Sequence, residues 1–351
     1  MKRLILGLLC AAVAWGCGGG ARYTITITVP EEVDGVRLVK SEMGMPDLTE
    51  LKYDAQTSTY TGKGRIEEPE MAMIVDSDDQ PLAIVCIEAG DIHVGYDAEE
   101  DTFAVWGTPS NDAVTEYRPQ LLALAEEWEQ NPVHTEEEQV DFMEAFYEKV
   151  LEIVDLNIDN MYGVTLFASS GFQVLEPDEI LEYLDRFPKN LRNNQMLESV
   201  RRYAEAAINS SIGSQYIDIS APDTEGIEVA LSTVVATGKW VLVDFWATWC
   251  GPCRNELPYL KAAYEKYADK GFEIYGVSLD NSPQAWRDFV DEQDMNWINV
   301  LDVREDKSSP AADAYGIQSI PSNFLISPDG KIAAKNLRGE AVEETLLQIF
   351  D

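Results

Sequence analysis

The sequence predicts a multidomain protein: an N-terminal antiparallel β sandwich or barrel over residues 22–108, a helical middle region over 109–212 and a C-terminal α/β domain over 213–351. Three observations carry that reading. Up to Trp106, short runs alternate apolar and polar residues between turn-rich breaks, the mark of half-buried strands. From Asn111 the apolar residues recur at helical spacing. After Gly213, short β-branched runs alternate with helical stretches, which builds a sheet covered on both faces.

Composition sets the limits. A chain of 351 residues is long enough for two or three real cores, and its 45% hydrophobic and 10% aromatic content argues against disorder. The net charge of −37 repels phosphates and excludes nucleic acid as a partner. Most of the acidic excess precedes the last domain, on polar helix faces, where it reads as solvation.

The first residues form a targeting segment. Lys2-Arg3 precedes an apolar stretch from Leu4 to Trp15, too short to span a bilayer and of the length of a secretory core. It ends in Ala14-Trp15-Gly16-Cys17, which resembles a lipoprotein signal. That resemblance implies residues 1–17 as the signal segment, lipidation at Cys17, membrane attachment through that lipid and a periplasm-facing place in the cell envelope. Cleavage without lipid is the alternative, and Cys10, preceded by Leu9, is the poorer lipidation site. Gly18 to Gly20 then make a flexible tether.

Tyr23, Ile25, Ile27 and Val29 share one face of the first strand, with Thr24, Thr26 and Thr28 on the other. Further strands are expected at Val36 to Lys40, Glu50 to Asp54, Met71 to Val75, Leu82 to Ile87, Ile92 to Tyr96 and Thr102 to Trp106. His93 reads as a solvated strand residue, because no second ligand stands at metal-site spacing. Cys86, in an apolar strand, reads as an inert core thiol.

In the helical region Asn111 is the expected N-cap, followed by a stripe of Leu121, Leu122, Leu124, Ala125 and Trp128. Thr135 and Glu138 form a capping box for a helix through Phe142, Phe146, Val150 and Val154, and His134 just precedes that cap. More helices are expected at Pro177 to Phe187 and Gln195 to Ile208.

The last domain has expected strands at Val241 to Trp246, Glu273 to Ser278, Trp297 to Val300, Asn323 to Ile326 and Ile332 to Lys335. Helices are expected at Cys253 to Lys270, Pro283 to Glu292 and Glu340 to Phe350, and Ser327 to Gly330 makes a hairpin turn. Strands joined first by helices and then by a hairpin give a mixed sheet.

The chemistry gathers where the buried run Val241 to Trp246 hands over to a helix. Cys250 falls at the helix N-terminus, where backbone N–H groups and the positive end of the dipole favour a thiolate. Cys250-Gly-Pro-Cys253 is either a redox dithiol or half of a zinc site, whose other ligands would have to come from Cys86 or two isolated histidines. Asp244 lies in the apolar run, where burial should raise its pKa and let it exchange protons near neutrality.

Trp249-Cys-Gly-Pro-Cys253 resembles the thioredoxin active site. The stretch Phe245 to Cys250, with Glu256-Leu257-Pro258 and the distant Ile320-Pro321, resembles the envelope-anchored TlpA/ResA branch of that superfamily over roughly Gly213 to Asp351. Gly271 to Asp280 with Trp286 resembles the extension such proteins carry. The resemblance implies a thioredoxin fold, a redox disulfide between Cys250 as attacker and Cys253 as resolver, and proton transfer by Asp244 and Glu256. It implies that Trp249, Gly251, Pro252 and the cis-proline loop at Ile320 and Pro321 bind substrate, with Trp246 shielding the sulfurs. Glu88 to Ile92 and Gly107 to Asp112 resemble the β-rich domain of unknown function found in front of envelope thioredoxins.

The expected activity is therefore a thiol-disulfide oxidoreductase, using no cofactor and no metal. Its partners by resemblance are disulfide-containing exported proteins, including apocytochromes c, and a membrane thiol electron donor. Neutral Gly251-Pro252 and the acidic surroundings stabilise the thiolate only modestly, which makes a reducing couple. Two alternatives are a thiol peroxidase of the same fold and a membrane-tethered binding protein with a vestigial dithiol. The first wants a threonine three residues before its cysteine, where this chain has Ala247.

Overall fold

A computed structural model describes residues 20–350 apart from 31–32, 34, 41–46, 100, 131–134 and 305–307. Cys10, Cys17 and His134, and with them the signal segment, lie outside the described residues. The chain divides into two compact units: one runs to Val174 and adds Phe187–Met196, and the other takes Leu175–Arg186 and everything from Leu197 on.

The first unit opens with eight strands: β1 (Ala21–Thr28), β2 (Arg37–Lys40), β3 (Lys52–Asp54), β4 (Thr59–Ile66), β5 (Glu70–Val75), β6 (Pro81–Ile87), β7 (Gly90–Asp97) and β8 (Thr102–Trp106). They form a five-stranded sheet ordered β3-β4-β1-β7-β8 and a three-stranded sheet ordered β2-β5-β6. The larger sheet is open and mixed, not purely antiparallel, because β1 runs parallel to β7. As expected, Tyr23, Ile25 and Ile27 are buried on one face of β1.

β4 has no counterpart in the sequence reading, since Gly62 and Gly64 take two of its inward positions, between Tyr60 and Ile66, and break the apolar alternation. Gly64 faces Tyr23 across the ladder, and a Cβ there would come within 2.6 Å of the tyrosine oxygen. The missing side chain makes room for the ring.

The chain then runs, still in this unit, through α1 (Pro109–Glu129), α2 (Glu136–Leu156) and α3 (Met161–Ser169). The N-cap of α1 is Thr108, not Asn111. Asn111 is instead fully buried in the first turn, where its amide brackets β6: Oδ1 accepts the Cys86 N–H at 2.8 Å and Nδ2 donates to the Cys86 carbonyl at 2.8 Å. Beside it, the buried Glu88 carboxylate accepts the Ser110 N–H and hydroxyl, each at 2.8 Å. The Ser110 oxygen in turn accepts the Met161 N–H at 3.0 Å. Such fully paired buried polar groups fix one arrangement of their elements. They account for the two short motifs that stand out near Glu88 and Gly107.

Thr135 and Glu138 cap α2 reciprocally, as expected. Trp128 of the α1 stripe stacks on Phe142 of α2 at 4.3 Å, while Leu122 stays exposed. α3, capped by Asn160, is apolar on all sides and so gives no amphipathic signal.

The chain continues through α4 (Pro177–Leu184), α5 (Lys189–Arg192) and α6 (Gln195–Asn209). In the second unit, Ser210 just after α6 donates its hydroxyl to the Tyr315 carbonyl at 3.1 Å. There follow β9 (Ser220–Pro222), β10 (Glu228–Ala230), α7 (Leu231–Val235), β11 (Trp240–Trp246), α8 (Gly251–Tyr267), β12 (Phe272–Ser278), α9 (Pro283–Glu292), β13 (Ile298–Leu301), α10 (Pro310–Tyr315), β14 (Ser322–Ile326), β15 (Ile332–Lys335) and α11 (Glu340–Phe350). The β9–β10 hairpin, α7 and α10 are additions to the sequence reading, each too short to show a period. Gly271 to Asp280 is no appendage: it supplies β12, next to the middle of the sheet.

The main sheet has the order β13-β12-β11-β14-β15. β11 is parallel to β12 and antiparallel to β14. Leu242 and Trp246 pack with α8, α9 and α11 on one face. Val241, Val243 and Phe245 pack with α7 and α10 on the other. This is the thioredoxin fold, and it explains why β11 is a continuous apolar run.

Candidate active site

β11 ends at Trp246, and the turn after it delivers Cys250 to the N-cap of α8. The turn is held by a residue to which the sequence alone assigns no role. Asp280, buried just after β12, accepts the Thr248 N–H at 3.0 Å and its hydroxyl at 2.6 Å, and is itself bound by Ser278 at 2.8 Å. Its signal was positional: an acidic residue just past the same end of the neighbouring parallel strand.

Cys250 and Cys253 are joined in a disulfide, with Cα atoms 5.3 Å apart. The Cys253 N–H donates to the Cys250 sulfur at 3.1 Å, and the Ile320 carbonyl lies 3.7 Å from that sulfur. A charge developing on Cys250 is thereby met by an N–H at a helix start. The two cysteines are nearly equally covered in the disulfide form, 5% and 4% exposed. The reason is packing: both belong to one apolar cluster with Trp246, Ala247 and Leu257, against which Ile320 packs. What distinguishes Cys250 is its N–H contact. Trp246 is core, whereas Trp249 is 66% exposed beside exposed Gly251 and Pro252.

The Ile320–Pro321 peptide is cis and faces the disulfide. Asp244 is buried on β11 opposite Asn323 of β14. Burial pushes its carboxyl up to about 7, against the pull of Arg338, with Glu256 adding to the rise. Glu256 accepts the Gly339 N–H at 2.7 Å.

The segment Leu337–Gly339 links these groups, and the sequence reading passed over it. Asn323 accepts the Leu337 N–H at 2.9 Å and donates to its carbonyl at 2.8 Å. Arg338 donates Nη1 to the Leu337 carbonyl at 2.8 Å and Nη2 to the Pro321 carbonyl. One short stretch therefore ties the proline loop to both carboxylates. Among the described residues no group of three or more His, Cys, Asp or Glu side chains is arranged to hold a metal ion.

A helix-capping cysteine bonded to its i+3 partner, a facing cis-proline and a buried carboxyl on the preceding strand define a dithiol oxidoreductase of the thioredoxin fold. Residues 212–335 match the AhpC/TSA family. Over 135 residues the chain is 35% identical to the thiol-disulfide oxidoreductase ResA of Bacillus thuringiensis subsp. konkukian, covering 38% of this chain and 74% of that protein. It is 35% identical over 122 residues to ResA of Bacillus subtilis, covering 35% of this chain and 65% of that protein. A crystal structure of the thioredoxin domain of a Bacteroides vulgatus thiol-disulfide oxidoreductase is 38% identical, with a TM-score of 0.38, covering 40% of this chain and 99% of that one. The chain belongs to the ResA-like thiol-disulfide oxidoreductases.

Proposed function

We propose that this oxidoreductase reduces disulfides of exported proteins through Cys250 and Cys253. The observation that carries the reading is the Cys250 sulfur held between the Cys253 N–H and the Ile320 carbonyl. In the reduced enzyme the Cys250 thiolate attacks one sulfur of a substrate disulfide. That bond breaks, a mixed disulfide forms, and the departing substrate thiolate takes a proton from water. Asp244, whose carboxyl sits near 7, accepts the Cys253 proton, with Glu256 beside it. The Cys253 thiolate attacks Cys250, releases the second substrate thiolate and leaves the internal disulfide. Two electrons have passed to the substrate, and a membrane thiol donor restores the dithiol.

Substrate backbone pairs with Ile320, while Trp249, Gly251, Pro252 and Pro321 form the rim. The enzyme stands in the envelope, facing the periplasm and held by a lipid on Cys17. Its substrates include apocytochromes c. No described helix is long and apolar enough to cross a membrane. The N-terminal sheets are two layers of a small sandwich over 22–108, followed by a helical module over 109–212 and the redox domain from 213. A thiol peroxidase lacks support, because Ala247 stands where its threonine belongs.

Insulin reduction by the full chain tests the activity. Equilibration with glutathione should give a potential more negative than about −180 mV. Cys253→Ser should trap partners as mixed disulfides on Cys250. No insulin reduction and no trapped species would overturn the proposal.

A further inference from the structure

Beside the proline loop lies a cavity of about 440 Å³ whose lining includes Pro321, Ser322, Phe324, Lys335, Asn336 and Arg338, and no acidic residue. The chain carries 63 acidic residues against 26 Lys and Arg. In such a chain a cation readily finds a carboxylate, as Lys239 does with Glu273 at 2.9 Å and Lys266 with Glu343 at 2.6 Å. Lys335 and Arg338 do not: among the described residues neither has an ion pair. Arg338 gives its donors to two backbone carbonyls and makes no close ion pair, although its charge also acts on the buried Asp244 carboxyl.

Lys335 is half-buried, with its ammonium 5.0 Å from the centre of the Phe324 ring. Burial lowers its pKa, and no neighbouring anion opposes that shift. A half-buried ammonium without a counter-ion, facing an acid-free cavity, is a site prepared for an anion.

We propose that this cavity is a carboxylate subsite, in which Lys335, backed by the charge of Arg338, receives an Asp or Glu side chain of the substrate polypeptide docked on Ile320. The occupant follows from position and from charge. Pro321 and Ser322 line the cavity directly after Ile320, so a segment lying on that residue reaches it within a few residues of its cysteine. An acidic segment is otherwise repelled by a chain of net charge −37, and local cations offset that repulsion where docking occurs.

This inference rests on the reductase reading above, and the experiment separates the two. Disulfide-bearing peptides carrying one Asp, or Asn in its place, at each position up to four residues from the cysteine are offered to the reduced full chain. Reduction gives kcat/KM, and fluorescence anisotropy of the same labelled peptides on the oxidised chain gives binding without turnover. At one position Asp should outperform Asn by about tenfold, as expected for a charge-assisted hydrogen bond. The preference should shrink in high salt, persist in Lys335→Arg and fall to about one in Lys335→Gln. No preference at any position, or a preference that survives Lys335→Gln, overturns the subsite. Preferential binding without any reduction supports the subsite and overturns the reductase reading instead.

Discussion

Glu256 on the active-site helix accepts the backbone N–H of Gly339 at 2.7 Å, a bond between residues 83 positions apart. It fixes α8 against the turn that carries Arg338, so one carboxylate serves structure and, in the proposed mechanism, proton transfer. Glu256→Gln keeps an acceptor for Gly339 but has no group that can take up or release a proton in the working pH range. It should leave urea stability within about 0.5 kcal/mol of the parent and slow the resolution of a mixed disulfide. Glu256→Ala should slow resolution and also cost about 1–3 kcal/mol, because a part-buried N–H loses its partner.

Asp244 makes stability depend on pH. Its carboxyl sits at about 7 in the folded chain, against about 3.9 when unfolded. Between those values the folded state holds a proton that the unfolded state has released. Stability therefore falls as pH rises through this window, and the loss is complete above about pH 7. Asp244→Asn should remove that slope, so its advantage over the parent should grow from pH 4 to pH 8. Urea titrations of the oxidised proteins across that range measure the difference. The rate of mixed-disulfide resolution should also lose its inflection near neutral pH.

Asn111 closes both backbone groups of Cys86. Asn111→Ala strands a buried N–H and a buried carbonyl, which should cost the first unit about 2–4 kcal/mol. Cys86 is fully buried, and burial pushes its thiol up. It should therefore resist a maleimide reagent in the parent and react through local opening in the variant, with the Cys250–Cys253 pair kept oxidised in both.

Asp280 restrains the turn before the nucleophile through two bonds to Thr248. Asp280→Ala should lower kcat/KM for insulin by roughly tenfold or more, as expected when a reacting group is loosened. Asp280→Asn, which keeps an acceptor, should recover part of the loss. Stopped-flow tryptophan fluorescence during oxidation of the dithiol gives the rate.

The second unit was the more legible part of the sequence. The run Val241 to Trp246 announced a central strand, and Asp244, Cys250, Cys253 and Pro321 stood at separations the fold brings together. What escaped notice were groups whose role depends on contacts distant in sequence. Asp280 and Arg338 look like ordinary surface charges until Thr248 and Pro321 are placed beside them. In the first unit, β4 was hidden because Gly62 and Gly64 stand where a strand usually shows its hydrophobic face. Asn111 has the composition of a cap, yet it serves as a buried brace because Thr108 already occupies the cap position.

The place of β1 inside its sheet has a further consequence. Tyr23 to Thr28 lie between β4 on one side and β7 on the other, and Tyr23 waits for Gly90 to complete its second ladder. A chain made from its N-terminus thus delivers the keystone first and the stone that locks it much later, so closing this sheet waits on a segment distant in sequence. Trimming the start past Ala21 would hollow out the middle of the sheet instead of fraying its rim.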